Sequence, residues 1–286
     1  MKKIVVLALM CLTFVQLRAQ NGVVFKIKFM PNRTYKSDMS LNMKLNANVT
    51  GDTTILAKLK SSGITPPITA LFDFGLAGDM KSGAAASDNS FPLNIDYKFT
   101  KLTVSANGKE APIPPSVSEK DIKAMAHVTS DGTMVIDSAG GKKADDTTRN
   151  KMKQMMSLFQ KQIQFPAKAM KPGDSFTQTV PMNLPLGKNT GGDIKINYTT
   201  TYKLTSIKDG KAYFDVVPNF SMDFSIQNKM SVNMTGTGLG KMVYSIKDNF
   251  PISNNGDYTL KINVKSDKVN VDANGTITGN STTAIN

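Results

Sequence analysis

Apolar and polar residues alternate along most of the chain, the pattern of a β-strand with one buried and one exposed face. The longest run starts at Tyr35 and keeps apolar residues at every second position from Met39 to Val49. Long alternating strands joined by short turns predict a mainly β fold, an antiparallel meander that forms a curved sheet or (half-)barrel. The second half shows the same one-parity pattern at Ile194, Ile196, Tyr198, Tyr202, Leu204, Phe220, Met222, Phe224, Ile226, Met230, Val232, Met234, Tyr258, Leu260, Ile262 and Val264.

Turn residues divide this pattern into hairpins. Asn-Gly and Asp-Gly pairs adopt the positive φ angles of tight β-hairpin turns at little cost. We therefore predict a turn wherever such a pair interrupts the alternation. The predicted turns lie at Asn107 and Gly108, at 130–132, at Asp209 and Gly210, at 254–256, and at Asn274 and Gly275.

The alternation is less regular before residue 92. Apolar residues at positions 55, 57 and 59 follow a turn and predict a short strand. Prolines and small residues between 61 and 92 predict loops around another short strand at 68–74. The parity of the apolar positions shifts between Phe99 and Leu102, which predicts a β-bulge or a bend.

One long segment, about 146–164, has helical periodicity instead. Its apolar residues are spaced three or four apart and fall within about 100° of arc on a helix. Asp145 or Asp146 can accept hydrogen bonds from the free N–H groups at the start, and Pro166 ends the helix. We predict one principal amphipathic helix that packs on the sheet. Its apolar side carries Met152, Met155, Met156, Phe159 and Ile163.

The chain enters its strands in a similar way before and after this segment. Residues 30–35 and 171–176 both place a Pro-led turn just before a hydroxyl residue and an aromatic residue. We predict one β-rich domain over residues 20–286, with halves of about 20–143 and 166–286 joined by the helix.

The first nineteen residues have the features of an export signal. Lys2 and Lys3 precede an apolar run that is too short to remain as a membrane anchor, and small residues before Gln20 offer a cleavage site. We predict cleavage after about Ala19 and a periplasmic or extracellular location, without a transmembrane segment in the mature chain. Cys11 follows Met10, where lipid attachment requires a small residue, so a lipoprotein is not expected. The mature chain then contains no cysteine and can form no disulfide.

The chain carries a net charge of +13, and removal of the three cations in the signal leaves +10. Lysine supplies nearly all of this charge, because Arg33 and Arg149 are the only arginines after residue 19. Nucleic-acid binding relies on arginine and on stacking aromatic residues, so no nucleic-acid partner is expected. Most lysines alternate with apolar residues, which indicates solvated strand faces; a true anion-binding surface is the alternative.

The sequence shows no recognisable catalytic constellation, and we predict no cofactor and no metal site. His127 is the only histidine and lies in a strand-like run, so a structural or surface role is expected. Residues 236–241 are glycine-rich but fail the spacing of a phosphate-binding loop and lead into a strand pattern. Residues 272–276 contain oxygen donors without the closing Glu of a calcium loop. A carboxylate-based hydrolase remains as a third functional class, because sequence does not show which carboxylates meet in space.

Several segments together resemble a family of exported Bacteroidetes proteins with a domain of unknown function. They are the export signal before Gln20, the opening turn and Tyr35, residues 129–138, the predicted helix with 165–166, residues 171–176, residues 202–214, and Gly236, Gly238 and Gly240. The resemblance covers most of the mature chain and implies no catalytic residue. The architecture is also loosely similar to that of periplasmic lipoprotein carriers, in which a curved sheet holds an apolar ligand under helices.

These observations favour a non-catalytic exported protein that binds an apolar or amphipathic ligand such as a lipid. The predicted ligand-binding residues lie on the helix, where an adaptable methionine stripe adjoins cations. Ordinary packing of the helix onto the sheet is the alternative to this binding role. A structural protein that contacts envelope polysaccharide through its basic faces is the alternative function. The predicted ligand-binding residues are Arg149, Met152, Lys153, Met155, Met156 and Phe159.

Overall fold

The computed structural model describes residues 22–112, 122–139, 163–185, 193–226 and 229–286. These residues form twelve strands and one helix. The helix is α1 (Thr53–Ser61), and the strands are β1 (Thr34–Gly51), β2 (Ile68–Ser82), β3 (Phe91–Ala106), β4 (Lys109–Glu110), β5 (Ile122–Val128), β6 (Met134–Ala139), β7 (Ser175–Pro185), β8 (Asp193–Lys208), β9 (Lys211–Ile226), β10 (Met230–Ser245), β11 (Phe250–Ser266) and β12 (Val269–Ile285).

All twelve strands belong to one antiparallel sheet, which confirms the predicted mainly β fold. Their order is β6-β5-β3-β2-β1-β12-β11-β10-β9-β8-β7, with β4 paired to β3. The first and last strands lie side by side in the middle, where Tyr35 faces Ile285 and Gly51 faces Val269. The sheet is curved and, over the described residues, unclosed, with β6 and β7 at its two edges.

The alternation in the sequence gives the sheet an apolar face and a polar face. Residues directly opposite each other in an antiparallel pair share a face. The register places Met43 of β1 opposite Phe72 of β2 and Ile277 of β12, so apolar positions on neighbouring strands meet. The same register places Lys44 and Asn46 on the opposite, polar face beside Thr276 and Asn274.

The buried core lies at one end of the apolar face. We call this end the base; it is where β1, β3, β7, β9 and β11 begin. Two core clusters form there, one on each flank of the sheet. The first contains Phe25, Met170, Tyr202, Leu204, Ala212, Phe214, Val216, Met242 and Tyr244. The second contains Phe91, Leu93, Ile95, Ala124, Ala126 and Val128.

An extended segment, residues 22–30, crosses the base and joins the two flanks. Phe25 belongs to the first core cluster, whereas Phe29 packs against the second. The Tyr244 hydroxyl donates a hydrogen bond to the Lys26 carbonyl at 2.5 Å, and the Met30 N–H donates one to the Tyr35 hydroxyl at 2.8 Å. The apolar residues of this segment thus pack across the strand ends, and the segment forms no strand of the sheet.

Three of the predicted turns are confirmed and two are wrong. The turns at 107–108, 130–132 and 209–210 each contain residues with positive φ, among them Asn107 at 50° and Gly210 at 70°. In contrast, 254–256 lies inside β11 and 274–275 inside β12. The glycines there serve another purpose, because a large side chain lies over the backbone: Leu45 of the neighbouring strand β1 covers Gly275, and Tyr258 of the same strand covers Gly256.

The strand predicted at 55–59 is wrong, because these residues form α1 (Thr53–Ser61). The Asp52 carboxylate accepts hydrogen bonds from the N–H groups of Thr54 at 2.7 Å and Ile55 at 3.4 Å. This N-cap satisfies donors that would otherwise be unpaired at the helix start. Lys58 and Lys60 in the last turn also suit the negative end of the helix dipole.

The strand predicted at 68–74 is longer in the structure, since β2 continues to Ser82 and pairs with β1 along its length. The predicted bulge is confirmed: Leu76 faces Phe99 while Gly75 faces Lys101, which leaves Thr100 as the extra residue. The bulge restores Leu102 to the apolar face.

The principal helix predicted at about 146–164 is not confirmed, because it lies outside the described residues except for its last two positions. Ile163 and Gln164 have no regular secondary structure, and Ile163 packs against the first core cluster. Among the described residues, no helix is long and apolar enough to span a membrane.

Candidate functional site

The apolar face continues far beyond the two core clusters. Toward the end opposite the base its apolar side chains are partly exposed, apart from the buried Leu260 and Ala273. We call this region the open half. It includes Met39, Leu41, Met43, Leu45, Phe72, Phe74, Leu102, Val104, Ile196, Phe220, Met222, Phe224, Val232, Met234, Ile262, Val264 and Ile277.

No second layer of described elements covers the open half. Among the described helix and strands, extensive contacts occur only between hydrogen-bonded neighbours and, to a small extent, between α1 and β1. The two segments that do cover the apolar face, 22–30 and 163–170, lie at the base. A strand face of this kind normally packs against another layer, so the open half is an unusually large apolar surface.

The apolar face carries no charged residue in any of the eleven long strands, as far as their described side chains extend. Every Asp, Lys and His of these strands occupies the alternate parity, on the polar face. The bulges preserve this separation; Asp137, for example, is the extra residue of the β5–β6 bulge and contacts His127 on the polar face. The polar residues that do occur on the apolar face are uncharged.

Tyrosine hydroxyls form the most distinct polar feature of the apolar face. Tyr198 and Tyr202 lie on β8, and Tyr258 lies on β11. Burial raises the pKa of the Tyr202 phenol well above its usual value of 10.0, and the Tyr198 phenol adds to the rise. Burial also raises the pKa of Tyr258, again with a contribution from Tyr198. The three phenols are thus close enough to influence one another across the curved sheet.

Glycines allow one of these rings to lie flat on the sheet. A Cβ atom at Gly238 would lie 2.6 Å from the Tyr258 ring, and one at Gly256 would lie 2.9 Å from the Tyr258 hydroxyl. Similarly, a Cβ atom at Gly236 would lie 2.2 Å from the Phe220 ring. The glycines of β10 therefore create room for aromatic side chains from β9 and β11.

Thr200 lies between Tyr198 and Tyr202 on the same face of β8. Its side chain is 2% exposed, and its hydroxyl has no partner at hydrogen-bond distance and angle among the described residues. The hydroxyl nevertheless lies near enough to Tyr202 to lower the pKa of that phenol slightly. A buried hydroxyl without a partner is uncommon in proteins.

On the polar face, lysine side chains lie among carboxylates and hydroxyls. Exposed ion pairs of this type contribute little to stability and are screened by salt. Threonine hydroxyls also pair across strands, at 2.9 Å between Thr177 and Thr201. The ion pairs join Lys101 to Asp73 at 2.9 Å, Lys123 to Asp96 at 3.0 Å and Lys241 to Asp215 at 3.6 Å.

The residues considered for catalysis or metal binding lie on this polar face or within strands. His127 Nδ1 is 2.8 Å from the Asp137 carboxylate, and both side chains are exposed, as expected for a surface histidine. Residues 236–241 are extended within β10, and Asp272 lies within β12, so neither forms an ion-binding loop. Over the described residues, no group of three His, Cys, Asp or Glu could hold a metal ion.

A shallow hollow of about 430 Å³ lies beside the β2–β3 bulge. Its lining mixes residues of both faces, such as Asp38, Asn42 and Lys101 with Phe74 and Leu76. It opens widely to solvent and does not contain the tyrosine hydroxyls. The open half is therefore the better candidate site, because its apolar residues all lie on one face of the sheet.

The predicted ligand-binding residues Arg149, Met152, Lys153, Met155, Met156 and Phe159 lie outside the described residues. The site built by the described residues is instead the open half with Tyr198, Thr200, Tyr202 and Tyr258. The sequence contains a signal for it, since these four residues share the parity of the apolar positions, but alternation alone does not show that distant strands bring them together.

No protein-family model and no curated protein matches the chain. Solved structures with some likeness include a bacterial polysaccharide outer membrane secretin, 6% identical, with a TM-score of 0.31 over 86% of this chain and 97% of that chain. Another is OpdQ of Pseudomonas aeruginosa, 6% identical, with a TM-score of 0.25 over 87% and 99% of the two chains. The CymD monoaromatic hydrocarbon channel is 8% identical, with a TM-score of 0.15 over 90% and 89%. TM-scores of this size do not establish a shared fold or function.

Proposed function

We propose that this protein is a non-catalytic binding protein that holds an apolar or amphipathic ligand on the open half of its apolar face. The observation that supports this proposal is the continuous apolar surface over eight strands, without a described charged residue and without a covering layer of described elements. Ligand sites are mainly apolar surfaces with a small number of placed polar groups, and the tyrosine hydroxyls provide such groups.

Burial of this surface would supply the binding free energy. Apolar surface removed from water contributes about 25 cal/mol per Å², so covering 300 Å² of the open half corresponds to roughly 7 kcal/mol before the costs of association. A long-chain ligand can cover such an area. A ligand held mainly by this effect requires few directional contacts, and the flexible methionines Met43, Met222 and Met234 can adapt to its shape.

The remaining expectations from the sequence belong to the same proposal. We infer export through a signal peptide over residues 1–19 and membership of the exported Bacteroidetes family with a domain of unknown function. The predicted helix, with Met152, Met155, Met156, Phe159, Arg149 and Lys153, would add further contacts to the ligand.

A charge placed on the open half tests the proposal directly. The purified protein is titrated with a fluorescent probe. The probe is a long n-alkane chain attached to an environment-sensitive fluorophore. Ile277→Lys places a cation among Met43 and Tyr258, and we expect at least about a tenfold loss of affinity, because the ammonium group must be desolvated or must exclude the chain.

Thr278→Lys is the matched control, because the neighbouring residue lies on the polar face of the same strand. Circular dichroism confirms that both variants keep the fold, and Ile277→Ala provides an uncharged variant if Ile277→Lys unfolds. Equal affinities for the two lysine variants, or no binding by the unmodified chain, would contradict the proposed function.

Contact with envelope polysaccharide through the polar face is the alternative function. Lysines on that face, such as Lys44 and Lys261, are exposed and would make binding weaker as salt is raised. Salt-sensitive retention on polysaccharide by the Ile277→Lys variant, together with no alkane binding by the unmodified chain, would favour this alternative.

A further inference from the structure

The absence of charge on the apolar face restricts the ligand. We propose that the ligand is an uncharged long-chain lipid whose hydroxyl or ester head group lies against the hydroxyls of Tyr198, Thr200 and Tyr258, with its chain along the open half. This inference rests on the proposed function and specifies the ligand class of the same surface.

The first argument concerns the head group. A carboxylate or phosphate brought onto the apolar face would lose hydration, and no described lysine, arginine or histidine of the eleven long strands faces it. Anionic lipids are bound where cations compensate the lost hydration. The lysines of this sheet lie on the polar face, so they cannot serve that purpose for a molecule on the apolar face.

The second argument concerns the position of the hydroxyls. Tyr202 belongs to the first core cluster, whereas Tyr258 is partly exposed and adjoins Ile277 of the open half. Tyr198, Thr200 and Tyr258 therefore lie at the boundary between the buried base and the open half. Phenol and alcohol groups both donate and accept hydrogen bonds, which matches the oxygen atoms of an alcohol or ester.

The third argument concerns Thr200. Its hydroxyl is buried and lacks a partner at hydrogen-bond geometry among the described residues. Because this hydroxyl is not exposed to solvent, a lipid oxygen reaches it only when a neighbouring side chain moves aside, and the oxygen then supplies the missing partner.

The dimensions agree with a single extended chain. From Tyr258 to Ser266, β11 runs for roughly 27 Å at about 3.4 Å per residue. The apolar-face residues along this path are Leu260, Ile262 and Val264, with Met234 and Val232 beside them on β10. An acyl chain that starts at the hydroxyls can follow this path without meeting a described charged side chain.

Affinities for three ligands of equal chain length test the inference: a monoacylglycerol, the corresponding fatty acid and the n-alkane probe. At neutral pH we expect the full chain to bind the monoacylglycerol at least about tenfold more tightly than the ionised fatty acid. Lowering the pH toward the carboxyl pKa should raise the affinity for the fatty acid, because its uncharged form then becomes available.

Removal of single hydroxyls locates the head group. Tyr198→Phe, Thr200→Val and Tyr258→Phe should each weaken monoacylglycerol binding by about five- to tenfold, as expected for one lost hydrogen bond, and leave alkane binding unchanged. Tyr213→Phe is the matched control, because Tyr213 lies on the polar face of β9, and it should change neither affinity.

The outcomes separate this inference from the proposed function. Two results would overturn the inference of an uncharged head group: equal or tighter binding of the ionised fatty acid, or monoacylglycerol binding that none of the three substitutions weakens. In either case, binding of the alkane probe would still support an apolar site. No binding of any of the three ligands would overturn both.

Discussion

Single glycines in β10 illustrate how individual residues shape the apolar face. At Gly238, an added Cβ atom would lie 2.6 Å from the Asp257 carbonyl oxygen and 2.6 Å from the Tyr258 ring. The backbone carbonyl cannot move without disturbing the β10–β11 pairing, so Gly238→Ala should lower the free energy of unfolding by about 1–3 kcal/mol. Chemical denaturation measures this change.

Thr237→Ala serves as the control for this substitution. Thr237 is exposed on the polar face of the same strand, and its replacement should change stability by no more than about 0.5 kcal/mol. A Gly238→Ala variant as stable as the control would show that the Tyr258 ring does not depend on the glycine.

A second prediction at the residue scale concerns the buried tyrosine phenols. Burial raises the pKa of Tyr35, Tyr97, Tyr202, Tyr244 and Tyr258 above the usual 10.0. Their folded-state pKa values exceed the unfolded ones, so their contribution is complete below the unfolded pKa of about 10 and is lost as pH rises toward the folded-state values. We expect the denaturation midpoint to fall steeply above pH of about 10.

The measurement is a series of denaturation curves from neutral to alkaline pH, with phenolate absorbance recorded in parallel. Tyr244→Phe should make the decline shallower, since it removes one of the buried phenols. A midpoint that stays constant while the phenols ionise would contradict the burial of these hydroxyls.

Residue types in the sequence were sufficient to predict some local features and not others. Asn107 and Gly108 form a turn as predicted, whereas Asn274 and Gly275 lie within a strand. The two pairs are chemically the same. What differs is the Leu45 side chain from β1, which occupies the space over Gly275 and comes from a strand more than two hundred residues away.

Among the elements, α1 depends on its cap more than on its apolar pattern. Asp52→Ala removes the acceptor for the Thr54 N–H and should increase amide exchange throughout α1. The hydrogen bond from the Thr54 backbone is also the main cause of the lowered pKa of Asp52. The capping contribution is therefore present above the usual carboxyl pKa of 3.8 and is lost as pH falls through the lower folded-state pKa.

Exchange rates of the α1 amides at several pH values check this prediction. Asp52→Asn is the control, because its side-chain oxygen can still accept the hydrogen bonds but does not titrate in this range. Protection of α1 that is unchanged in Asp52→Ala would show that contacts with β1 hold the helix instead.

Element identity was predictable where one periodicity dominates. The alternation from Met39 to Val49 and the parity shift before Leu102 correctly predicted β1 and the bulge in β3. The segment 53–61 is short enough to fit the periodicity of a strand as well as that of a helix. The N-cap at Asp52 favours the helix. The helix predicted at about 146–164, with its ligand-binding residues, stays a prediction.

For the whole molecule, the sequence predicts the two faces but not the strand order. Each strand carries its own alternation, which fixes the apolar face locally. The pairing of β1 with β12 joins the two ends of the chain, and no local signal specifies it. The charge-free apolar face and its tyrosine hydroxyls follow from that long-range order, so the candidate site was visible in the sequence only as a shared parity.

Methionine oxidation footprinting with and without a monoacylglycerol tests ligand binding on the open half most directly. Met43, Met222 and Met234 lie on the open half, and Met125, 60% exposed on the polar face of β5, is the internal control. We predict that the ligand slows oxidation of the first three methionines severalfold and leaves Met125 unchanged. Unchanged oxidation at Met43, Met222 and Met234, or equal protection of Met125, would contradict ligand binding on the apolar face.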